Sequence, residues 1–420
     1  MRYCSDSGAV HELKGGTVLQ DRDIVYFSCL DWEPSRARPQ QIALELAAAN
    51  RVLYVEPMIS LASMIERLIW QHHTRSLIPR VRRIQNGLFL YTPPSFLPFS
   101  LRSESLNSIN KSLLVRCIRS AMERLEFRRP IVAVSHPSHH ELVGQFDEEF
   151  SFYDCMDHYT LLPDRRANPV VLAAMERKLV NKADLVFVTS EALHRGQEPD
   201  GSKWVLVRNG VDLDHFDPDG CRLGEPDQEL AGIPGPIIGY IGGIGSWFDG
   251  DAVAHLAASR PDLSLVLVGP VLDRATARKL RFSPNVYLLG QKPYQDLPRY
   301  LDAFAVCLIP FQVNELTRTV NPVKLYEYLA TGKPVVAAEL DEVTRYRDIV
   351  SLYATKEELV KQVERALREQ DPEAARLRVR VAGENTWRRR VEEMGTALAG
   401  YLTRGAEAKV ISSDAGFEHP

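Results

Sequence analysis

The chain has 420 residues, 45% of them hydrophobic and 25% charged, with a formal net charge of −4 at pH 7. That length exceeds one ordinary core and predicts two domains, and the acidic balance excludes the basic excess of a nucleic-acid-binding protein. The six cysteines (Cys4, Cys29, Cys117, Cys155, Cys221, Cys307) form no C-x-x-C pair, so neither a zinc framework nor a disulfide scaffold is expected, and a reduced cytoplasmic setting fits them.

The N-terminal stretch MRYCSDSGAVHELKGG lacks the apolar core of a signal peptide. No segment reaches the roughly 18 uncharged apolar residues of a spanning helix, so a soluble chain is expected. Short runs rich in Val, Ile, Phe and Tyr then recur: IVYFSCL, RVLYVE, GLFLYTP, IVAVSHP, FSFYDC, DLVFVTS and WVLVRNG. Helical patterns lie between most of them, as at residues 40–49 and 169–182. Continuous apolar strands alternating with helices predict a parallel sheet covered on both faces. From residue 235 the pattern restarts with PIIGYIGG, LSLVLVGP, NVYLLG, FAVCLIPF, PVVAAE and IVSLYA. The expected class is therefore α/β, with two doubly wound, Rossmann-like domains. The join is expected in the Gly-, Pro- and Asp-rich stretch 209–236, with domains at 1–208 and 209–385. The tail 404–420 carries no periodic pattern and is expected to be disordered.

One segment of the first domain stands out. Residues 64–83, MIERLIWQHHTRSLIPRVRR, mix Leu, Ile and Trp with Arg67, Arg75, Arg80, Arg82 and Arg83. Two readings stand: a helix packed on the core with a solvated basic face, or a surface that rests on anionic lipid headgroups.

Ligands of open α/β sheets bind beyond the carboxyl ends of the strands, so the chemistry is sought there. In the second domain, Gly242, Gly243 and Gly245 follow the strand GYI. They read either as a phosphate-cradling loop or as a plain Gly-rich turn. Further on, RTVNPVKLYEYLATGKPVVAAE places Asn321 as an N-cap and Pro322 at the first helical position. Such a helix end favours an anion. Lys324 there opposes the helix dipole unless an anion or carboxylate offsets it. Glu327 suits the vicinal hydroxyls of a ribose. The alternative is an ordinary i,i+3 ion pair between Lys324 and Glu327.

In the first domain, His136, His139 and His140 follow the strand IVAVS, with Asp154 and Asp157 after another. Each is a contact to a ligand in the cleft or a structural group. No carboxylate or Cys set accompanies the histidines at zinc-ligand spacing. Arg38, in SRARPQQ, is a surface arginine or one that meets an anionic group. The DLD at 212–214 imitates a metal-binding D-x-D but sits in the junction, and no metal is expected.

NPVKLYEYLATGKPVVA resembles the nucleotide-sugar-binding helix of GT-B glycosyltransferases, in the large retaining group called family 4. VRNGVDLDHF resembles the junction segment of that group, and PIIGYIGGIGSWFD with LSLVLVGP resembles its first donor-domain strands. TWRRRVEEM resembles the terminal helix, residues 386–403, that crosses back to the first domain. DWEPSRARPQQIALELAAANRVLYVEP and FYDCMDHY resemble a bacterial polysaccharide subgroup that includes teichuronic-acid-type transferases. The resemblance implies two domains facing a central cleft, acceptor on the first and donor on the second. It makes Glu327 the ribose ligand, Gly242 and Gly243 the pyrophosphate loop with Asn321 beside them, and His136 the residue near the transferred sugar. The family often has two carboxylates eight apart, and Thr319 stands where the first would fall. No Lys follows the Gly loop in the usual place, and Lys324 and Arg318 are the nearest substitutes. Base contacts are expected from loops 292–296 and 314–317.

The implied activity is metal-independent, retaining transfer from a UDP- or GDP-sugar to a glycan or polyprenyl-linked acceptor. It would take place in the cytoplasm, with contact at the inner membrane face. Two rivals remain: a nucleotide-sugar epimerase of the same fold, and a two-domain binding protein that closes on its ligand without chemistry.

Overall fold

A computed structural model of the chain describes residues 12–13, 16–17, 19–33, 36–58, 79–94, 102–162, 167–195, 203–216 and 228–414. The first sheet contains β1 (Asp23–Phe27), β2 (Arg51–Val55), β3 (Arg80–Gln85), β4 (Leu88–Thr92), β5 (Ile131–Val134), β6 (Phe150–Cys155), β7 (Leu185–Val188) and β8 (Trp204–Leu206). Their spatial order is β8-β7-β6-β5-β1-β2-β4-β3, parallel throughout except for β3 against β4. The apolar runs are continuous because both faces are covered. Ile24 and Tyr26 of β1 enter the core on one face, and Val25 and Phe27 enter the core on the other.

The second sheet contains β9 (Ile237–Ile241), β10 (Ser264–Val268), β11 (Val286–Gly290), β12 (Val306–Ile309), β13 (Val335–Ala338) and β14 (Ser351–Tyr353). It is fully parallel, in the order β11-β10-β9-β12-β13-β14. Chain order reverses between β1 and β5 in one sheet and between β9 and β12 in the other. Those are the crevices where such sheets hold ligands.

Every apolar run read as a strand is a strand. β3 was hidden in the basic segment 64–83. Residues 59–78 of that region lie outside the described residues, and its described end is neither helix nor core. Arg80, Arg82 and Arg83 are exposed on an antiparallel edge strand. Charged side chains on an edge discourage pairing with another chain.

Helix α1 (Arg38–Leu46) begins before the expected residue 40, because Pro39 in its first turn fixes the start. Helix α2 (Glu104–Leu125) is capped by Ser103, and α3 (Pro169–Lys182) has the expected bounds, with Asn168 as its cap. Arg38 is not a surface residue. It is 2% exposed, and its guanidinium pairs with the wholly buried Asp154 of β6 at 2.8 Å. Tyr26 donates to the same carboxylate at 2.9 Å. The anion that Arg38 meets is internal to the domain.

After the second sheet, the helix Trp387–Asp414 returns to the first domain. Trp387, Met394 and Leu398 share one core with Ile24, Ile42 and Leu46, and the Tyr401 ring meets Phe150 edge-on at 5.4 Å. The tail expected to be disordered from 404 is helical as far as Asp414, since its Ala, Glu and Lys are good helix formers. Residues 415–420 lie outside the described residues, as do 217–227 of the join.

Asp154→Ala would strand the Arg38 charge in the core, a change that typically costs about 3–5 kcal/mol. Urea unfolding should show the midpoint falling accordingly with the m-value unchanged.

Candidate active site

β9 runs directly into Gly242 and Gly243. Gly242 has φ +151°, and a Cβ there would lie 2.1 Å from Lys324 Cε and 2.8 Å from its Nζ. That φ strains any residue with a side chain, and a Cβ would push the Lys324 tip aside. Gly269, after β10, has φ +148°, and a Cβ on it would lie 2.0 Å from the Gly242 carbonyl oxygen. Two hydroxyls hold this loop. Tyr240 donates to the Gly243 carbonyl at 2.9 Å, and Tyr328 accepts from the Ile241 N–H at 2.8 Å.

Tyr328 belongs to α4 (Val323–Ala330), which buries Leu325, Tyr326, Tyr328 and Leu329 and keeps Lys324 and Glu327 half-buried on its other face. Asn321 does not cap this helix. Pro322 occupies the cap position and no side chain bonds the first turn. The Asn321 side chain is committed elsewhere: its Oδ1 accepts from Asn209 N at 2.9 Å, and its Nδ2 donates to Tyr326 OH at 3.0 Å. The helix end therefore keeps uncapped N–H groups and its partial positive charge beside the Gly loop.

The ordinary helical ion pair does not form. The Lys324 stem turns over Gly242, and its ammonium lies 5.8 Å from the ring centres of Tyr240 and Phe311. Burial pushes the Lys324 ammonium down, and the Glu327 charge opposes that shift. Burial pushes the Glu327 carboxyl up to about 7, with Lys324 holding it back.

Two neighbouring residues point elsewhere. Arg318 is exposed and its guanidinium pairs with Asp341 at 3.2 Å. Thr319 is buried. Its hydroxyl donates to the Leu316 carbonyl at 2.7 Å, and its own carbonyl accepts from Ser190 Oγ of the first domain at 2.7 Å. In the expected base loops, Tyr294 stacks on His215 with ring centres 4.0 Å apart. The Tyr294 hydroxyl accepts from Gln41 Nε2 of α1 at 3.1 Å. Asn314 Oδ1 accepts from Thr317 N at 3.0 Å within its own turn. Asp212 Oδ1 of the DLD accepts from His215 N at 3.2 Å.

The carboxyl ends of the two sheets thus face one another. Across the cleft, His136 stands at the end of β5, at the switch point of the first sheet. Its Nδ1 faces Ser138, accepting from the backbone N–H at 3.2 Å and lying 2.9 Å from the hydroxyl oxygen. The ring meets Tyr159 edge-on at 4.7 Å. Burial, helped by the charge of Lys111, pushes His136 down to about 3, so the ring is neutral and offers an N–H. His139 is buried with Nδ1 unpartnered, and His140 Nδ1 contacts the Pro137 carbonyl at 3.3 Å. Asp157 is pushed up to about 6 by burial. Among the described residues, no group of three His, Cys, Asp or Glu is placed to hold a metal ion.

Residues 235–369 match the family of group 1 glycosyl transferases. The span covers β9 to α4 and the sheet beyond, and so contains the Gly loop, Lys324 and Glu327. This part of the chain is similar to the group 1 glycosyl transferases. A protein of Bacillus subtilis strain 168, named as the teichuronic acid biosynthesis glycosyltransferase TuaH, is 28% identical over 210 residues, or 46% of this chain. The match spans about half (51%) of that relative's own length. Sucrose-phosphate synthase from Thermosynechococcus elongatus superposes with a TM-score of 0.62 at 18% identity, covering 94% of this chain and all (100%) of that one. Anabaena HepE, in complex with UDP and glucose, gives 0.63 at 16% identity, covering 90% of this chain and 100% of its own. These likenesses establish the GT-B fold: two Rossmann-like domains about a cleft.

Within the matched span 235–369, the sequence pattern brought Gly242, Gly243, Lys324 and Glu327 to one place. It missed Tyr240, although a residue two before Gly242 lies on the same strand face and can reach the loop. In the first domain it missed Lys111, buried on α2 and pushed down to about 7 by burial. The signal was present, since Lys111 sits at the buried period of Leu114 and Ile118.

Lys324→Met removes the charge that holds Glu327 down. The Glu327 titration, followed by side-chain carboxyl NMR, should move upward from about 7.

Proposed function

We propose that the chain is a retaining glycosyltransferase. It moves a sugar from a nucleoside-diphosphate sugar, UDP- or GDP-linked, to a glycan or polyprenyl-linked glycan in bacterial polysaccharide synthesis. The observation that carries this reading is the stem of Lys324 lying over Gly242 at an uncapped helix end, with Glu327 one turn beyond. The diphosphate would lie on the Gly242–Gly243 loop and the α4 N-terminus, and Glu327 would accept from the ribose hydroxyls. HepE, of the same fold, is described in complex with UDP and glucose, and TuaH is named for teichuronic acid biosynthesis, which supports the donor class and the pathway.

Charge builds on the leaving diphosphate as the glycosidic bond breaks. Lys324 and fixed backbone N–H groups stabilise that charge more in the transition state than in the ground state. Arg318 reaches the diphosphate in this reading only by leaving Asp341. The His136 Nε2–H donates to a hydroxyl of the transferred sugar. The leaving phosphate oxygen takes the acceptor proton, so no protein nucleophile is required. The donor is held without a metal ion.

Glu327→Ala should abolish release of nucleoside diphosphate in a transfer assay while far-UV dichroism stays unchanged; wild-type turnover would refute the assignment. In the same assay a chelator should leave the wild-type rate unchanged. Because the ribose contact needs the carboxylate, the donor KM should rise as pH falls through about 7, and Glu327→Gln should flatten that dependence.

A lipid-linked acceptor places the protein at the cytoplasmic face of the inner membrane. The exposed Arg80, Arg82 and Arg83 support contact with anionic headgroups there. Replacing all three with Gln should abolish flotation with anionic vesicles at low salt. No flotation of the wild-type protein would remove the membrane contact from the proposal.

A further inference from the structure

Glu342 lies just past β13 and is 1% exposed. A carboxylate so deep is costly unless its lone pairs are filled. Here they are filled from three separate parts of the chain. Glu191 N, just beyond β7 of the first domain, donates to Oε1 at 2.8 Å. Arg208 Nε, past β8, donates to Oε2 at 2.7 Å. Asn321 Nδ2, two residues before α4, donates to Oε2 at 3.3 Å.

The surrounding bonds run the same way. Arg208 also bonds Glu191 Oε1 at 3.1 Å, Arg345 approaches that oxygen at 4.0 Å, and Ser190 Oγ bonds the Thr319 carbonyl at 2.7 Å. Glu342 is therefore the acceptor at the centre of a clasp between the edge of the first sheet and the segment that leads into α4. Lys324, Glu327 and the Gly loop are all internal to the second domain and are held by its core. What the clasp sets is where His136 and Asp157 stand relative to them.

We infer that Glu342 is a positioning residue for transfer, one that fixes the angle between the domains without touching either substrate. The inference rests on the transferase reading above for its catalytic consequence, but not for its geometry. The carboxylate is needed in particular because all three partners are donors. An amide in its place would turn an N–H toward one of them.

The test is Glu342→Gln, read in three ways. Calorimetric titration with UDP or GDP should give an affinity within twofold of wild type. In the transfer assay, kcat should fall at least tenfold with the donor KM within threefold. Small-angle X-ray scattering should show a broadened interdomain distance distribution. A kcat within twofold of wild type, or a nucleotide affinity that falls in step with kcat, overturns the inference. An unchanged scattering distribution overturns it whether or not the chain proves to be a transferase. Failure of the wild-type protein to bind any nucleoside diphosphate counts instead against the donor reading. If Glu342→Gln loses its far-UV dichroism, Ser190→Ala provides the same readouts, with the same split expected and the same results overturning it.

Discussion

Asn209 spends its polar groups on three partners. Its backbone N–H donates to Asn321 Oδ1 at 2.9 Å and its side-chain amide to the Asn321 carbonyl at 2.6 Å. Its Oδ1 accepts from Arg38 at 3.3 Å, and its own carbonyl accepts from Arg390 at 3.0 Å. One buried residue thus joins the first helix of the first domain, the approach to α4 and the returning C-terminal helix. Buried polar networks of this kind specify a geometry when every member is satisfied. This junction ties the first helix, the approach to α4 and the C-terminal helix together, and it shares Asn321 with the Glu342 clasp.

The second constraint is desolvation. Burial at the strand ends pushes four ionisable groups toward their neutral forms. Lys324 is lowered, Glu327 is raised to about 7, His136 is lowered to about 3 and Asp157 is raised to about 6. With those four groups held toward neutrality, the uncapped α4 end and the neutral His136 ring are the oriented donors at the site. Such a site is arranged for an anion that arrives with its own charge, since oriented dipoles need no reorganisation when charge develops. The absence of a neutralising partner on Lys324 has the same sense, because an ion pair along the helix would have spent that charge.

Much of this was readable along the chain. Continuous apolar runs located every strand of the two large sheets except β3, whose arginines disguised it. The glycines after β9 and the helix α4 were legible because a close backbone approach and a helix end leave marks within a few residues. Asn321 was read as the cap of α4, but Pro322 holds that position and Asn321 has another task. Its neighbours along the chain suggest a cap, but a partner more than a hundred residues away claims its side chain. Arg38 was misjudged for the same reason, since nothing near SRARPQQ announces Asp154.

The sequence by itself therefore determined the two-domain α/β class, the positions of the apolar strands, and the loop and helix that form the candidate donor site. These depend on local periodicity and on short-range steric demands, which are written in adjacent residues. Only the tertiary structure decided which polar residues are spent on the architecture and which remain free for a ligand. Arg38, Asn209, Asn321 and Glu342 are polar and look available, yet each is buried against a partner distant in sequence. Lys324 and Glu327 look like a surface pair, yet they face the cleft. Burial and long-range pairing set the cost of a charge, and neither is a property of the residues on either side.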